Sequence, residues 1–295
     1  MKLALGPLSY HWPRQRVVDF YAGLAGSPLD AVYLGEVVCL RRTEVSYEDW
    51  LAIAADLRAA GKEVVLSTQA LIESEGDLKR LRRVCGNGDY RIEVNDWNAV
   101  PLAAGSQGWV AGPHLNVYNP ETLQMLHELG ARRWVPPVEC ARGTVAGALA
   151  ARPQGLEAEL FAHGRLPLAF SARCFSARRF NLQKEACEQR CGEFPEGIPL
   201  QTRDGKPFLV MNGIQTQSAS VYSLARDLDS VRAAGVDAIR INPQAEGTAQ
   251  VADLLHELCR GALAAEEAHQ ALAAASPAPL ANGFWHGRAG LESLA

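Results

Sequence analysis

The sequence predicts an α/β architecture with a parallel sheet, and within it a (β/α)8 TIM-barrel-like chain carrying a long cysteine-bearing insertion after the seventh strand. Three observations predict it. Short β-type runs alternate with amphipathic runs of helical period about eight times. The length of 295 residues suits one large domain of this kind, or two ordinary ones. The first strand runs into Gly6-Pro-Leu-Ser-Tyr-His11, with no G-x-G-x-x-G turn, and no Gly-rich Gly-Lys-Ser/Thr run occurs elsewhere. A doubly wound sheet is the alternative.

The elements follow in order. Lys2 to Leu8 is the first strand, and a helix from Arg14 to Gly26 starts behind Pro13, a residue suited to a helix start. Ala31 to Gly35 is the second strand. The second helix begins near Ser46, carries Trp50, Ile53, Ala54 and Leu57 at helical spacing, and stops at Gly61. Glu63–Ser67 is a buried type of strand, followed by a helix with Leu78, Leu81 and Cys85. Arg91–Asn95 and Trp109–His114 are the fourth and fifth strands, and Pro120 opens a helix with Leu123, Leu126 and Leu129. Trp134–Val138 is an awkward sixth strand, because its prolines cannot donate to a ladder. A helix over 143–151 and a seventh strand over Leu156–His163 follow.

Residues 171–207 break the pattern with cysteines, arginines and loop formers, and a long irregular stretch inside a compact domain is usually functional. Regularity returns at Phe208–Met211, and Ala238–Ile241 is a further strand. The barrel-like domain therefore spans 1–265. Residues 266–295 form a tail, with an Ala/Pro-rich mobile stretch over Ala271–Pro279 and an aromatic, docking segment at Gly283–Arg288. Trp50 and Trp97 read as core.

Net charge is −4, which gives no case for non-specific nucleic-acid binding. The apolar stretch at the N-terminus is too short for a signal peptide, and no run of eighteen apolar residues predicts a transmembrane helix. The seven cysteines are odd in number and scattered outside one cluster. Cytoplasmic, reduced thiols and a metal site fit this better than a disulfide framework.

That cluster is Cys174, Cys187 and Cys191, ringed by Arg173, Arg178, Arg179 and Arg190. Cationic neighbours favour the thiolate, the form that binds metal. On a helical turn, the i,i+4 spacing of Cys187 and Cys191 would put both thiols on one face. A fourth ligand is expected on the same face of the barrel. Cys39 lies just past the second strand, and barrel sites form where strands end. Cys140 also follows a strand and is its rival, whereas Cys85 and Cys259 lie on helices. Four thiolates select zinc or an iron–sulfur cluster. Structural zinc sites usually use two close ligand pairs, and only one is present, so the spread suits a larger cluster better. Zinc, and no metal at all, stay open from spacing alone.

Tyr33-Leu-Gly-Glu36, Cys39, Arg42, Ser171-Ala-Arg-Cys174, Cys187-x-x-x-Cys191 and Asn282-Gly-Phe-Trp-His-Gly287 together resemble the collagenase-like peptidase family. Within it they are most similar to the branch serving oxygen-independent ubiquinone biosynthesis. The resemblance runs from Lys2 to about Gly287. It implies a 4Fe–4S cluster on Cys39, Cys174, Cys187 and Cys191. It also implies a heterodimer with a UbiU-like homologous subunit that carries its own cluster. The pair would hydroxylate aromatic ring precursors without molecular oxygen, with prephenate as oxygen donor, and a UbiT-like lipid-binding accessory protein would present the substrate. The linker between Cys174 and Cys187 is short for that branch. No Gly-x-Ser-x-Gly elbow or His-Glu-x-x-His pair supports a peptidase. A zinc-dependent hydrolase and a non-catalytic scaffold for the partner are the other readings.

Candidates for direct chemistry are Glu36, His114, Asn116 and His163, all near strand ends. Glu36 and Arg42 flank Cys39 as support or substrate contacts, against the alternative of a loop ion pair. His114, Asn116 and Asn119 could bind a polar group, although asparagine at loop starts is common turn chemistry. His163 could be a general base, and His11-Trp12-Pro13 could line the pocket. His286 reads as packed.

Overall fold

The computed structural model describes residues 1–106 and 108–294. Seven strands come first: β1 Lys2–Leu5, β2 Ala31–Leu34, β3 Glu63–Ser67, β4 Arg91–Val94, β5 Trp109–Ala111, β6 Ala131–Trp134 and β7 Glu157–Gly164. Each pairs in parallel with the next. The chain then leaves the barrel for a four-stranded antiparallel sheet of β8 Pro167–Phe170, β9 Ile198–Gln201, β10 Pro207–Asn212 and β11 Gln215–Ser218, in the order β8-β11-β10-β9. It returns through β12 Val221–Ser223, antiparallel to the end of β7. β13, Ala238–Ile241, pairs in parallel with β7 on one side and β1 on the other, which closes an eight-stranded barrel. β14, Leu280–Ala281, adds to β12. The expected TIM-barrel-like fold is the observed one.

The outer helices are α1 Arg14–Leu24, α2 Tyr47–Ala59, α3 Glu75–Cys85, α4 Val100–Ala103, α5 Pro120–Glu128 and α6 Arg142–Ala150. Their starts are written locally. Ser46 with Asp49, and Ser74 with Asp77, form capping boxes that satisfy otherwise orphaned amides. Asn119 caps α5, with Pro120 in its first turn. After the short α7, Phe175–Arg179, come α8 Leu228–Ala233, α9 Thr248–Arg260 and α10 Ala265–Ala275. Among the described residues no helix is long and apolar enough to cross a membrane.

The barrel interior is charged. Arg240 donates from Nε to Glu159 at 2.6 Å and from Nη1 to Glu93 at 2.7 Å, and its guanidinium lies 4.0 Å from the Tyr33 ring centroid. Arg133 meets Glu157 at 2.7 Å and Glu63 at 2.8 Å at the lower rim, and Glu159 at 3.4 Å inside. Small residues, Ala4 and Ala31, leave the room that these side chains fill.

Three expectations differ from the structure. The sixth strand lies three residues or more upstream of Trp134–Val138, so Pro136 and Pro137 fall beyond it and cost the ladder nothing. Phe208–Met211 belongs to β10 of the small sheet and not to the barrel. Trp97 is 47% exposed and donates its Nε1–H to the Leu115 carbonyl at 3.2 Å, so it is no core residue. In the tail, α10 covers most of the alanines and buries Ala268 and Leu272, while Trp285 is 2% exposed and donates to Ser230 at 2.8 Å. Ala295 of that tail lies outside the described residues.

Candidate functional site

The loop after β2 is shaped by Glu36. Its Oε1 accepts the backbone N–H groups of Val38 at 2.8 Å and Cys39 at 3.0 Å, and lies 3.6 Å from Arg42. Burial raises this carboxyl, and Arg42 and the two amides hold the rise back. Glu36 thus fixes where Cys39 points. Arg42, 3% exposed, donates to the Ser9 carbonyl at 2.6 Å and to Asn212 Oδ1 at 2.8 Å. It therefore ties the loops after β1 and β2 to the end of β10.

Cys174 is the N-cap of α7, and its Sγ accepts the Ala177 amide at 3.4 Å. Cys187 and Cys191 do not share a helical face. Glu188 and Gln189 between them take left-handed φ values of 52° and 51°, which breaks the turn into two 3-10 pieces. Side-chain bonds pin this segment to the β2 loop, with Gln189 donating to Thr43 at 3.2 Å and Arg41 meeting Glu185 at 3.5 Å. Trp12 of the first loop donates to the Pro195 carbonyl at 2.9 Å.

Three sulfurs meet. Cys39 and Cys174 pack against the same buried patch of Val37, Val38 and Ile214. Cys191 is close enough to Cys174 and Arg42 for both to act on its acidity. Burial pushes the Cys39 thiol up to about 11, with the Arg41 amide opposing it. Burial also raises Cys191, opposed by Arg42. Cys187 stands half-buried on the same pinned segment. Among the described residues, no three His, Cys, Asp or Glu side chains form a ready-made ion site.

The donor set nonetheless suits a soft centre. Four half-buried thiols lie on two adjoining loops, an amide donates to Cys174, and Arg42 keeps one buried nitrogen, Nε, without a partner. The buried cation acting on Cys39 and Cys191 is Arg42. Arg190 stacks over Phe180 at 4.3 Å instead. Cys140 is buried, and Cys85 and Cys259 sit at the ends of α3 and α9.

The other candidates separate. His114 lies past β5, edge-on to Phe170 with centroids 4.8 Å apart, and burial and then Arg240 drop its pKa to about 4. Asn116 is exposed and takes a left-handed turn conformation, the bland role expected of it. Asn119 is spent on its cap. His163 is fully buried in β7, its Nε2 3.4 Å from Ser276 and its Nδ1 unpartnered, and burial holds it near 4. His11 is buried beside Arg42, and His286 pairs with Asp227 at 2.9 Å. A groove of about 800 Å³ between α2 and α3 reaches Glu36 at its inner end and carries Arg80 on its wall.

Sequence reasoning passed over Arg240, Asn95, Glu93 and Glu159. A signal existed, since each charged member of this group sits third in its strand, where a barrel strand should bury an inward side chain.

The signature of Peptidase family U32 matches residues 24–294. Among solved structures, the chain is similar to the U32 peptidase Mk0906, at 14% identity and TM-score 0.46, over 83% of this chain and 93% of that one. It is also similar to a dihydropteroate synthase from Burkholderia cenocepacia complexed with 7,8-dihydropteroate, at 14% identity and TM-score 0.42, over 89% and 92%. A third is the spore cortex-lytic enzyme SleL of Bacillus megaterium, at 10% identity and TM-score 0.41, over 87% and 74%.

Proposed function

The chain belongs to peptidase family U32, and within that family we propose that it is an iron–sulfur subunit of the UbiV type. Its activity would be oxygen-independent hydroxylation of aromatic ring precursors in ubiquinone biosynthesis. It would act in the cytoplasm as a heterodimer with a UbiU-like subunit, served by a UbiT-like lipid-binding protein, with prephenate as the oxygen donor.

The observation that carries this reading is the approach of Cys39, from the loop after β2, to Cys174 and Cys191 in the insertion. Cys39, Cys174, Cys187 and Cys191 would hold one 4Fe–4S cluster. Bound there, the cluster supplies one-electron transfer or substrate activation. The chain's own groups prepare the site. Glu36 orients the Cys39 loop, the Ala177 amide donates to a ligand sulfur, and Arg42 sets a buried positive charge beside two thiols. The raised thiols must release protons when metal binds, so loading favours higher pH.

Anaerobic purification with iron, sulfide and zinc analysis tests the proposal on wild type and Cys187→Ala. A brown protein with about four irons and four sulfides, and a clear loss of both in the variant, is expected. A colourless protein with one zinc, or iron content untouched by Cys187→Ala, would overturn it.

A further inference from the structure

The groove of about 800 Å³ between α2 and α3 is lined by none of the thiols. Its volume is that of a small-molecule pocket. Four cations of α3, Lys79, Arg80, Arg82 and Arg83, face it against two carboxylates, Glu36 and Glu48. Most of these charges are already spent. Arg83 pairs with Glu48 and stacks on the Tyr47 ring, and Arg82 meets Glu75 at 3.2 Å. Glu36 accepts two amides and faces Arg42. Among the described residues Arg80 has no ion pair and no hydrogen bond, and Glu36 and Asp77 act on it only at a distance. Lys79 beside it is exposed and likewise unpaired.

Arg80 is half-buried, and burial lowers its pKa, with Glu36 and Asp77 opposing. Asp77 is held elsewhere, bonded to the Ser74 hydroxyl and the Glu73 amide. A guanidinium partly stripped of water stays charged, so it gains from an anion. Gln69, at the inner end of the groove, is 6% exposed, and its carboxamide also lacks a partner among the described residues. Neither side chain contributes to the sealed, unpartnered atoms of the core, so both polar ends are open to the groove. An arginine fork and an amide N–H together suit a carboxylate, which only accepts. Glu36 stands behind them, so one negative charge fits better than the two of a phosphate. The remaining walls include Val45, Trp50, Leu81 and Val84, which are apolar. Lining residues Gly76 to Val84 span about 12 Å of helix axis, the length of an extended chain of about eight to ten carbons.

We propose that the groove between α2 and α3 binds an aliphatic carboxylate, its head on Arg80 and Gln69 and its chain along Leu81, Val84 and Val45. Lys79, more exposed, adds a solvent-screened attraction. No cysteine takes part, so the site stands whether or not a cluster is bound.

The full chain is titrated calorimetrically with octanoate, octanol, octylammonium, acetate and octyl phosphate. Octanoate should saturate one site per chain. Octanol loses the charge-assisted bonds and acetate loses the chain, so each should bind at least about ten-fold more weakly, and octylammonium should not bind. Arg80→Met breaks no bond of the folded chain, and should weaken octanoate roughly ten- to a hundred-fold at an unchanged melting temperature. Arg142→Met removes the same charge from an exposed position on α6, outside the groove, and should leave binding unchanged. No saturable binding of octanoate, equal binding of octanol, acetate or octylammonium, or full binding by Arg80→Met overturns the proposal. So does an equal loss in Arg142→Met, which would mark non-specific attraction, and so does tighter binding of octyl phosphate, which would give the head group to phosphate. The ligand series on the wild type decides even where a variant fails to fold.

Discussion

Glu159 is the keystone of the charged interior, and Glu159→Gln tests it. The carboxylate is fully buried, accepts Arg240 Nε at 2.6 Å and the Tyr33 hydroxyl at 2.7 Å, and lies 3.4 Å from Arg133. Glutamine keeps the shape and removes the charge. Breaking a buried ion pair from one side costs about 3–5 kcal/mol, because the partner stays behind uncompensated. Here neither arginine is wholly stranded. Arg240 keeps Glu93, and Arg133 keeps Glu63 and Glu157. The expected loss therefore sits at the low end, about 3 kcal/mol. Unfolding entropy near 2.1 cal/mol/K per residue gives about 0.6 kcal/mol/K for the 295 residues, so the melting temperature should fall by about 5 °C.

Glu63→Gln is the control. Glu63 touches Arg133 and Arg91 at similar distances, but its side chain is 32% exposed. Solvent screening should hold its cost under about 1 kcal/mol, or less than about 2 °C. Calorimetry and urea unfolding read both variants. If Glu159→Gln melts with the wild type, or if Glu63→Gln is equally damaging, the reasoning that burial sets the cost fails.

Three other outcomes follow from the same geometry. Burial holds His163 neutral down to about pH 4. Its contribution is complete above about pH 6.5 and is lost as pH falls toward 4, by about 3 kcal/mol, because only the unfolded chain takes up the proton. His114 behaves alike, and His11 and His269 shift in the same direction, so His163→Leu should reduce the slope of unfolding free energy between those pH values without abolishing it; an unchanged slope counts against it. Arg42→Met cuts the bonds to Ser9 and Asn212 and should cost about 3 kcal/mol while speeding thiol labelling at Cys39 and Cys191. Unaltered labelling rates would show that Arg42 does not organise the thiol loops. Trp285→Ala empties a buried pocket and should cost about 3–5 kcal/mol, measured by urea unfolding, whereas a loosely docked tail would show almost no change.

The sequence carried most of the barrel because barrel strands and their covering helices have separate periods. β2 and β3 are buried along nearly their whole length and read as apolar runs, while α2 shows its inward face at Trp50, Ile53 and Leu57. β6 was illegible because Arg132 and Arg133 look like surface residues. Arg133 points inward only because Glu63, Glu157 and Glu159, distant in sequence, neutralise it. The small sheet hid for a related reason: its buried face carries Gln215, Gln217 and Asn212, bonded to one another. In the tail, alanine favours helix and proline ends it, and reading the two together blurred α10 into a loop.

The candidate site divides the same way. That Cys39 should face the insertion follows from one rule, that strand ends of a barrel share a mouth. The break between Cys187 and Cys191 depends on two left-handed residues that are not glycine, which local propensity does not foresee. The arginine beside the thiols is likewise not one from the insertion. Arg173 is exposed and Arg190 stacks on a phenylalanine, whereas Arg42 is buried and bonded on several sides.

Two buried arginines divide the mouth between them. Arg42 holds the loops that bear the thiols and keeps Nε without a hydrogen bond, while Arg240 lies inside the barrel near the end of β13 and keeps Nη2 without one. Neither nitrogen could stay unpaired at low cost in a core that otherwise matches its charges so closely. Val37 belongs to the buried patch on which Cys39 and Cys174 pack, and it also lines the pocket that holds Arg240.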